Sequence, residues 1–225
     1  MAEKNANNKK GLFISIEGPD GAGKTTQARL LKSRLENFGL EVILTREPGG
    51  TPIGEEVRNL LLNPDFFEMT VPCEVLLYTA ARAQLVSEFI RPSLQKGIIV
   101  ISDRYMDSNL VYQGLAGGEN PDVIKTINMW ATDSLIPDIT FLLDLEAETG
   151  LERLQKNENG AKWQGDRIEQ RNLEFHQKVR QGFLQLASGE AARFMVINAG
   201  DGPHIVHKKI WEKTQLLLQN ENLLS

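Results

Sequence analysis

Cysteine is nearly absent: Cys73 is alone in 225 residues, so no disulfide can form within the chain. Histidine is scarce and scattered (His176, His204, His207), and with one cysteine these residues do not make up a structural zinc set. No apolar run approaches the ~20 residues that cross a bilayer; Ile98 to Ile101 has only the length of a strand. The first ten residues, MAEKNANNKK, have no apolar stretch behind their charges. That is not a secretory signal, and residues 1–10 read as a flexible tail. Positive charge is not in excess either. With 25 Lys and Arg against 30 Asp and Glu the net charge is −5, which argues against a surface built throughout for nucleic acid. These absences point to a reducing, cytoplasmic compartment with neither a membrane nor a nucleic acid as partner.

What is present is ordinary for a folded chain: 41% hydrophobic and 24% charged residues. A chain of this length buries roughly 70% of the surface its unfolded form exposes, so it needs no covalent staple. Short β-branched runs at 12–17, 41–45, 98–102, 138–145 and 193–198 alternate with helical patterns. The helices are expected from Lys24 to about Phe38, near Ile53 to Leu62, from about Pro72 to Gln95 with Pro92 as a kink or stop, and at the C-terminus. Five strands separated by helices predict an α/β, three-layer architecture: a five-stranded parallel sheet with helices on both faces. No repeat or low-complexity linker divides residues 11–225, which read as one domain. The irregular stretch at about 154–167 is either a plain surface loop or a lid over a site.

The sharpest motif is GPDGAGKTT, 18–26: Gly18, Pro19, Asp20, Gly21, Ala22, Gly23, Lys24, Thr25 and Thr26. It contains G-x-x-x-x-G-K-T directly after a strand and at the opening of a helix, the context this phosphate loop requires. Glycines let several amides point at one phosphate, and the helix N-terminus adds partial positive charge. Lys24 reaches the β/γ-phosphates, and the Thr25 hydroxyl is placed to ligate Mg²⁺. The segment is a nucleoside triphosphate site, so the sheet is of the P-loop NTPase type.

In a doubly wound sheet ligands bind at the carboxyl ends of the strands. Arg46 follows the second strand, and Asp103 and Arg104 follow the third. Each arginine alone is also what a surface ion pair looks like. Together, beside an ATP site in an acidic chain, they suit the joining of two anions, where mutual repulsion is the main obstacle. An acceptor that is itself a phosphate needs no general base, only positioning and charge neutralisation. Asp103 stands where a carboxylate would organise Mg²⁺, and Asp20 either faces the second substrate or stabilises the loop's turn.

The runs GPDGAGKTT, REPGGTPIGEEVRNLLL (46–62), LLYTAARAQLV (76–86), DRYMDSNLVYQG (103–114) and DRIEQR (166–171) together resemble the thymidylate kinases, in order and spacing from about Leu12 to Gly189. The resemblance implies Mg²⁺-dependent transfer of the ATP γ-phosphoryl group to dTMP, directly and without a phosphoenzyme, in a homodimer. It places the dTMP phosphate on Arg46 and Arg104, the sugar 3′-hydroxyl on Asp20, and the thymine on Arg82. Ser108, Asn109 and Gln113 take neighbouring positions, and Tyr112 lies under the deoxyribose. Tyr78 stands where the family usually has a stacked phenylalanine. Members without an arginine at the position of Gly21 usually carry catalytic arginines in the lid. Here the lid offers Lys156 and Lys162, flanked by Arg153 and Arg167, and the two arginines are the expected catalytic cations. Asn198 replaces a common aspartate beside Ala199, Gly200 and Asp201, which would lie near adenine, and Glu169 would assist the Mg²⁺ shell.

Two other readings stay open at this level. A P-loop kinase for another monophosphate would share the phosphate chemistry and differ in the base site. A nucleotide-binding regulatory protein would be expected to have lost Lys24, Asp103 or Arg104, and all three are present.

Overall fold

The computed structural model describes residues 11–156, 165–221 and 223; the expected tail, and Lys162 with most of the expected lid, lie outside these residues. Five strands, β1 (Phe13–Glu17), β2 (Val42–Arg46), β3 (Ile99–Asp103), β4 (Ile139–Asp144) and β5 (Phe194–Asn198), form one parallel sheet in the order β2-β3-β1-β4-β5. The helices are α1 (Lys24–Asn37), α2 (Pro52–Leu62), α3 (Val71–Leu85), α4 (Arg91–Gln95), α5 (Met106–Asn109), α6 (Pro121–Ala131), α7 (Ala147–Lys156), α8 (Leu173–Gly189) and α9 (Pro203–Asn220).

The strands are apolar on both faces because both faces are covered. Ile14, Ile16, Ile99, Ile101 and Phe141 pack with residues of α1 and α9. The alternate residues Phe13 and Val100 face the other way, onto the end of α3 and α4, and Leu142 packs beside Val179 and Phe183 of α8. Side-chain caps start several helices: Thr51 accepts from the Gly54 amide at 3.0 Å, and Asn172 from the Phe175 amide at 2.9 Å.

The expected helix from Pro72 to Gln95 is interrupted without stopping at Pro92. A π-helical turn, Val86–Ile90, joins α3 to α4. Pro92 has no amide to give, and its ring would collide with the carbonyl four residues earlier; the wider turn just before it absorbs both demands. A second π turn, Leu110–Leu115, extends α5.

Register fixes where the chemistry emerges. Ile16 and Arg46 both lie beside Asp103, Glu17 beside Leu142, and Asp144 beside Asn198. The carboxyl ends of all five strands therefore form one rim. The chain order reverses across β1, so the loop after Glu17 leaves the sheet at the switch point where such folds bind ligands.

Candidate active site

Gly23, in the left-handed conformation at φ 89°, turns the loop into α1, whose N-terminus has no side-chain cap among the described residues. Among those residues no serine or aspartate side chain takes up its first amides, as a helix N-terminus suited to binding an anion requires. Gly21 at φ 76° lies against α7: a Cβ there would come within 2.2 Å of the Gly150 carbonyl oxygen, so helix and loop meet backbone to backbone. Lys24 folds back onto the loop and donates to the Pro19 carbonyl at 2.8 Å. Burial, with Arg104 nearby, brings its ammonium down to about 8. The Thr25 hydroxyl donates to Asp103 Oδ2 at 2.5 Å, so the two expected metal-binding oxygens are adjacent.

Arg104 occupies left-handed backbone at φ 71°, a conformation costing a non-glycine residue about 1–3 kcal/mol. Neighbours hold it there. Its amide donates to the Ile16 carbonyl at 3.0 Å, and the next amide, of Tyr105, donates to Glu17 Oε1 at 2.7 Å. Ser108 donates to the other Glu17 oxygen at 2.6 Å and accepts from Arg104 Nη1 at 3.0 Å. Burial, with Asp107 nearby, raises the Glu17 carboxyl to about 7. The Arg104 guanidinium also pairs with Asp20 and reaches the Tyr112 hydroxyl at 3.1 Å. Burial alone would raise the Asp20 carboxyl; Arg104 and Lys24, with a hydrogen bond of 2.8 Å from Tyr112, overcome it and hold the group below its ordinary value.

A cavity of about 380 Å³ joins the loop to the other strand ends. Asp20, Gly21, Gly23, Lys24, Thr25 and Thr26 of the loop line it together with Arg46, Asp103 and Arg104. Tyr78, Arg82, Ser108, Asn109, Tyr112 and Gln113 share the same lining, with Tyr112 reaching Asp20. Arg82 is 1% exposed and held on three sides. It pairs with Glu47 Oε2 at 2.6 Å, donates to Asn128 Oδ1 at 2.6 Å and approaches Asn109 Oδ1 at 3.4 Å. Arg46 is more exposed and rests on Glu55 at 2.9 Å.

Sequence reasoning missed Arg58, which lines the same cavity one helix beyond Arg46 and donates to the Pro48 carbonyl at 2.9 Å. Its place in the REPGGTPIGEEVR run gave a signal only through the helical spacing from Thr51 that turns it towards the loop.

Of the expected lid cations, Arg153, Lys156 and Arg167 lie among the described residues, and each has a protein partner in this structure. Arg153 donates with both terminal nitrogens to the Ala199 carbonyl at 3.2 Å, and with one to Gly21 O at 3.5 Å, so it clasps the loop after β5 to the phosphate loop. Arg167 is buried, donating to Leu61 O at 2.9 Å and Glu74 Oε1 at 2.6 Å. In this structure carbonyls take the donors of Arg153, and a carbonyl and a buried carboxylate those of Arg167. Lys156 is exposed beside Glu152 at 3.5 Å. Glu169 lines the cavity and accepts from the Asp166 amide at 3.1 Å.

Comparison with known proteins agrees with this geometry. The family model described as thymidylate kinase matches residues 16–210. A thymidylate kinase of Halothermothrix orenii is 47% identical over 206 residues, covering 92% of this chain and 97% of that protein. One of Deinococcus radiodurans is 46% identical over 202 residues, 90% and 95% of the two chains. The crystal structure of thymidylate kinase from Ehrlichia chaffeensis superposes with a TM-score of 0.72 at 34% identity, covering 92% of this chain and 99% of that one. A match that runs through the phosphate loop, all five strands and the cation-lined rim leaves one assignment: the chain belongs to the thymidylate kinase family.

Proposed function

We propose that the chain transfers the γ-phosphoryl group of ATP to the 5′-phosphate of dTMP, giving dTDP and ADP, by direct in-line transfer. One observation carries this reading: a single cavity is lined by the triphosphate loop, by Arg46, Arg58 and Arg104, and by the rings and amides of Tyr78, Tyr112, Asn109 and Gln113. ATP lies along 18–26 with Lys24 on its β/γ-phosphates. Arg46 and Arg104 hold the acceptor phosphate, and Asp20 accepts from the sugar 3′-hydroxyl. Tyr112 crowds the 2′ position. Tyr78 stacks on the base, whose edge meets Arg82 and Asn109, with Ser108 and Gln113 alongside. The acceptor oxygen is already anionic, so these residues act by position and charge and no proton need be removed.

Thr25 and Asp103 offer two hard oxygens side by side, a set that suits Mg²⁺, which takes few protein ligands and keeps phosphates and waters for the rest. When bound, Mg²⁺ neutralises charge on the transferring phosphates. Glu169 is close enough to the cavity to order its waters. Arg153 and Arg167 serve as catalytic cations only if they exchange their present carbonyl and carboxylate partners for phosphate.

Apolar residues left exposed on adjacent helices, Leu76 on α3 and Trp130 on α6 among them, support a homodimer. No helix among the described residues is long and apolar enough to cross a membrane, and with nucleotides as substrates the cytoplasm is the proposed location.

The test is ADP release from Mg·ATP with dTMP, dUMP, dCMP, dGMP, AMP and UMP as acceptors. Strong preference for dTMP is expected. Turnover with a different monophosphate would leave the phosphate chemistry standing and overturn the base site. ATP binding without turnover on any acceptor would overturn the kinase reading.

A further inference from the structure

Glu74 lies on α3, fully buried and outside the cavity lining, yet it binds three donors. Arg167 and Arg171 each donate to Oε1 at 2.6 Å, and the Gln113 amide nitrogen donates to Oε2 at 2.8 Å. The chain of bonds continues inward. Gln113 Oε1 accepts from Asn109 Nδ2 at 2.9 Å, and Asn109 Oδ1 accepts from Arg82 and from Asn128 Nδ2 at 3.2 Å.

Each carboxamide in this relay can be turned either way, since one end donates and the other accepts. The two ends of the relay cannot be turned. A guanidinium only donates, and a carboxylate between two guanidiniums only accepts. Reversing Gln113 would set its carbonyl oxygen against Glu74, two acceptors at hydrogen-bond distance in a buried site. Reversing Asn109 would set its amino group against Arg82. The direction of the whole relay is therefore fixed from both ends.

We propose that Glu74, without touching substrate, is a positioning residue that sets the hydrogen-bond polarity of the base pocket through Gln113 and Asn109. This inference rests on the dTMP reading above and deepens it. The pocket so fixed turns Asn109 Oδ1 towards the Arg82 guanidinium. Its contacts there are long, 3.4 Å from Arg82 and 3.2 Å from Asn128, so a ring N–H of the base can replace one of them beside an Arg82 donor. The edge of thymine offers the complement, a carbonyl oxygen and a ring N–H. Cytosine offers an amino group and a bare ring nitrogen, which meets like with like at both positions. Sites built around a specific donor–acceptor pattern reject the mismatched ligand because buried groups are left unpaired.

The experiment is kcat/KM for dTMP and dCMP on the same preparations of the full chain, so that any loss of folded protein cancels in the ratio. In Glu74→Gln the amide oxygen stays on Arg167 and Arg171, which only donate, so the new amino group faces Gln113 and turns the relay against the fixed donors of Arg82. The dTMP:dCMP ratio is expected to fall at least tenfold, mainly through the KM for dTMP, with the KM for ATP within twofold of the parent. Arg171→Gln takes away one partner of Glu74 and leaves the bond to Gln113, so the ratio is expected to stay within twofold. A ratio unchanged in Glu74→Gln, or lowered as much by Arg171→Gln, overturns the proposal in favour of a merely structural anchor. If Glu74→Gln does not fold, Glu74→Asp keeps at position 74 a group that only accepts, and so keeps the direction of the relay. The parent ratio is then expected, and a tenfold fall overturns the proposal. A parent chain that turns over dCMP but not dTMP fails differently, because it removes the dTMP reading itself and this inference with it.

Discussion

Lys24 is held on its own loop by the Pro19 carbonyl, and burial beside Arg104 leaves its ammonium ionising at about 8. Phosphates of ATP would restore the missing negative partner and pull that value up again. Nucleotide binding near pH 8 should therefore take up a proton, measurable by calorimetry in buffers of different ionisation enthalpy, and the uptake should vanish near pH 6.5, where Lys24 is already charged. Equal uptake at both pH values would place the proton elsewhere. Glu17 runs the opposite way. Its ordinary value is 4.5 and its folded value about 7, so the native state holds the proton more tightly than the unfolded chain. That contribution to stability is complete below about pH 4.5 and is lost as pH climbs through 7. Thermal melts between about pH 5 and 8 should show the parent losing stability with pH relative to Glu17→Gln; parallel curves would assign the ionisation to another group. Arg104 neighbours both, Glu17 through Ser108, and its guanidinium in addition meets Asp20 and Tyr112. Arg104→Ala should cut dTMP turnover by at least a hundredfold while ATP affinity changes severalfold at most, and equal losses in both would contradict its placement.

At the level of elements, α7 and the phosphate loop touch without side chains between them. A Cβ on Gly150 would come within 2.3 Å of the Asp20 carbonyl oxygen, a backbone atom that cannot step aside alone. Gly150→Ala should separate helix and loop, raising the KM for ATP at least tenfold and lowering stability by about 1–3 kcal/mol, the usual cost of overpacking. Gly189, at the end of α8, has open space where its Cβ would be, and Gly189→Ala should keep full activity and gain up to about 1 kcal/mol. Similar kinetics in the two variants would remove the close contact as a cause. Such a contact is invisible in a sequence, since one glycine in a helix looks like another. The strands and the loop were legible because apolar runs and G-x-x-x-x-G-K-T carry their own local reasons for folding. All five observed strands lie within one residue of the expected ends: β2 and β3 are shifted by one, β1 and β5 start one residue later, and β4 is shorter by one at each end. Helix α6 was not anticipated, although Asn120 and Pro121 mark its start. Candidate residues at strand ends follow from sheet geometry alone, which is why Arg46, Asp103 and Arg104 could be read off and do share the cavity. The direction of a long side chain cannot be read that way. Arg167 satisfies a buried carboxylate on a distant helix, and only the tertiary position of Glu74 reveals it.

Across the whole molecule, α3 has two unlike faces. Glu74, Val75, Thr79 and Arg82 point inward and build the acceptor end of the cavity and its support. Cys73, Leu76 and Ala80 point outward, with Leu76 59% exposed. Trp130, 83% exposed, stands on α6, and α6 and α2 both pack against α3. Leu60 on α2, Leu76 on α3 and Trp130 on α6 are thus large apolar side chains left exposed on three helices that pack together, the kind of surface that marks an interaction site. A two-fold axis through α3 would bury this patch against its own copy, since such an interface is self-complementary. Dimerisation would then brace the helix that carries Tyr78 and Arg82, linking assembly to the acceptor site rather than to the ATP loop. Leu76→Arg places a charge in that patch twice, once from each copy, with no partner in the apolar surround. Sedimentation at micromolar concentration should show a dimer for the parent and a monomer for Leu76→Arg, with the KM for dTMP raised severalfold and that for ATP nearly unchanged. A parent that sediments as a monomer would overturn the dimer outright. A monomeric variant with parent kinetics would keep the dimer but sever it from the acceptor site, because α3 would then hold Tyr78 and Arg82 in place without help from a second copy.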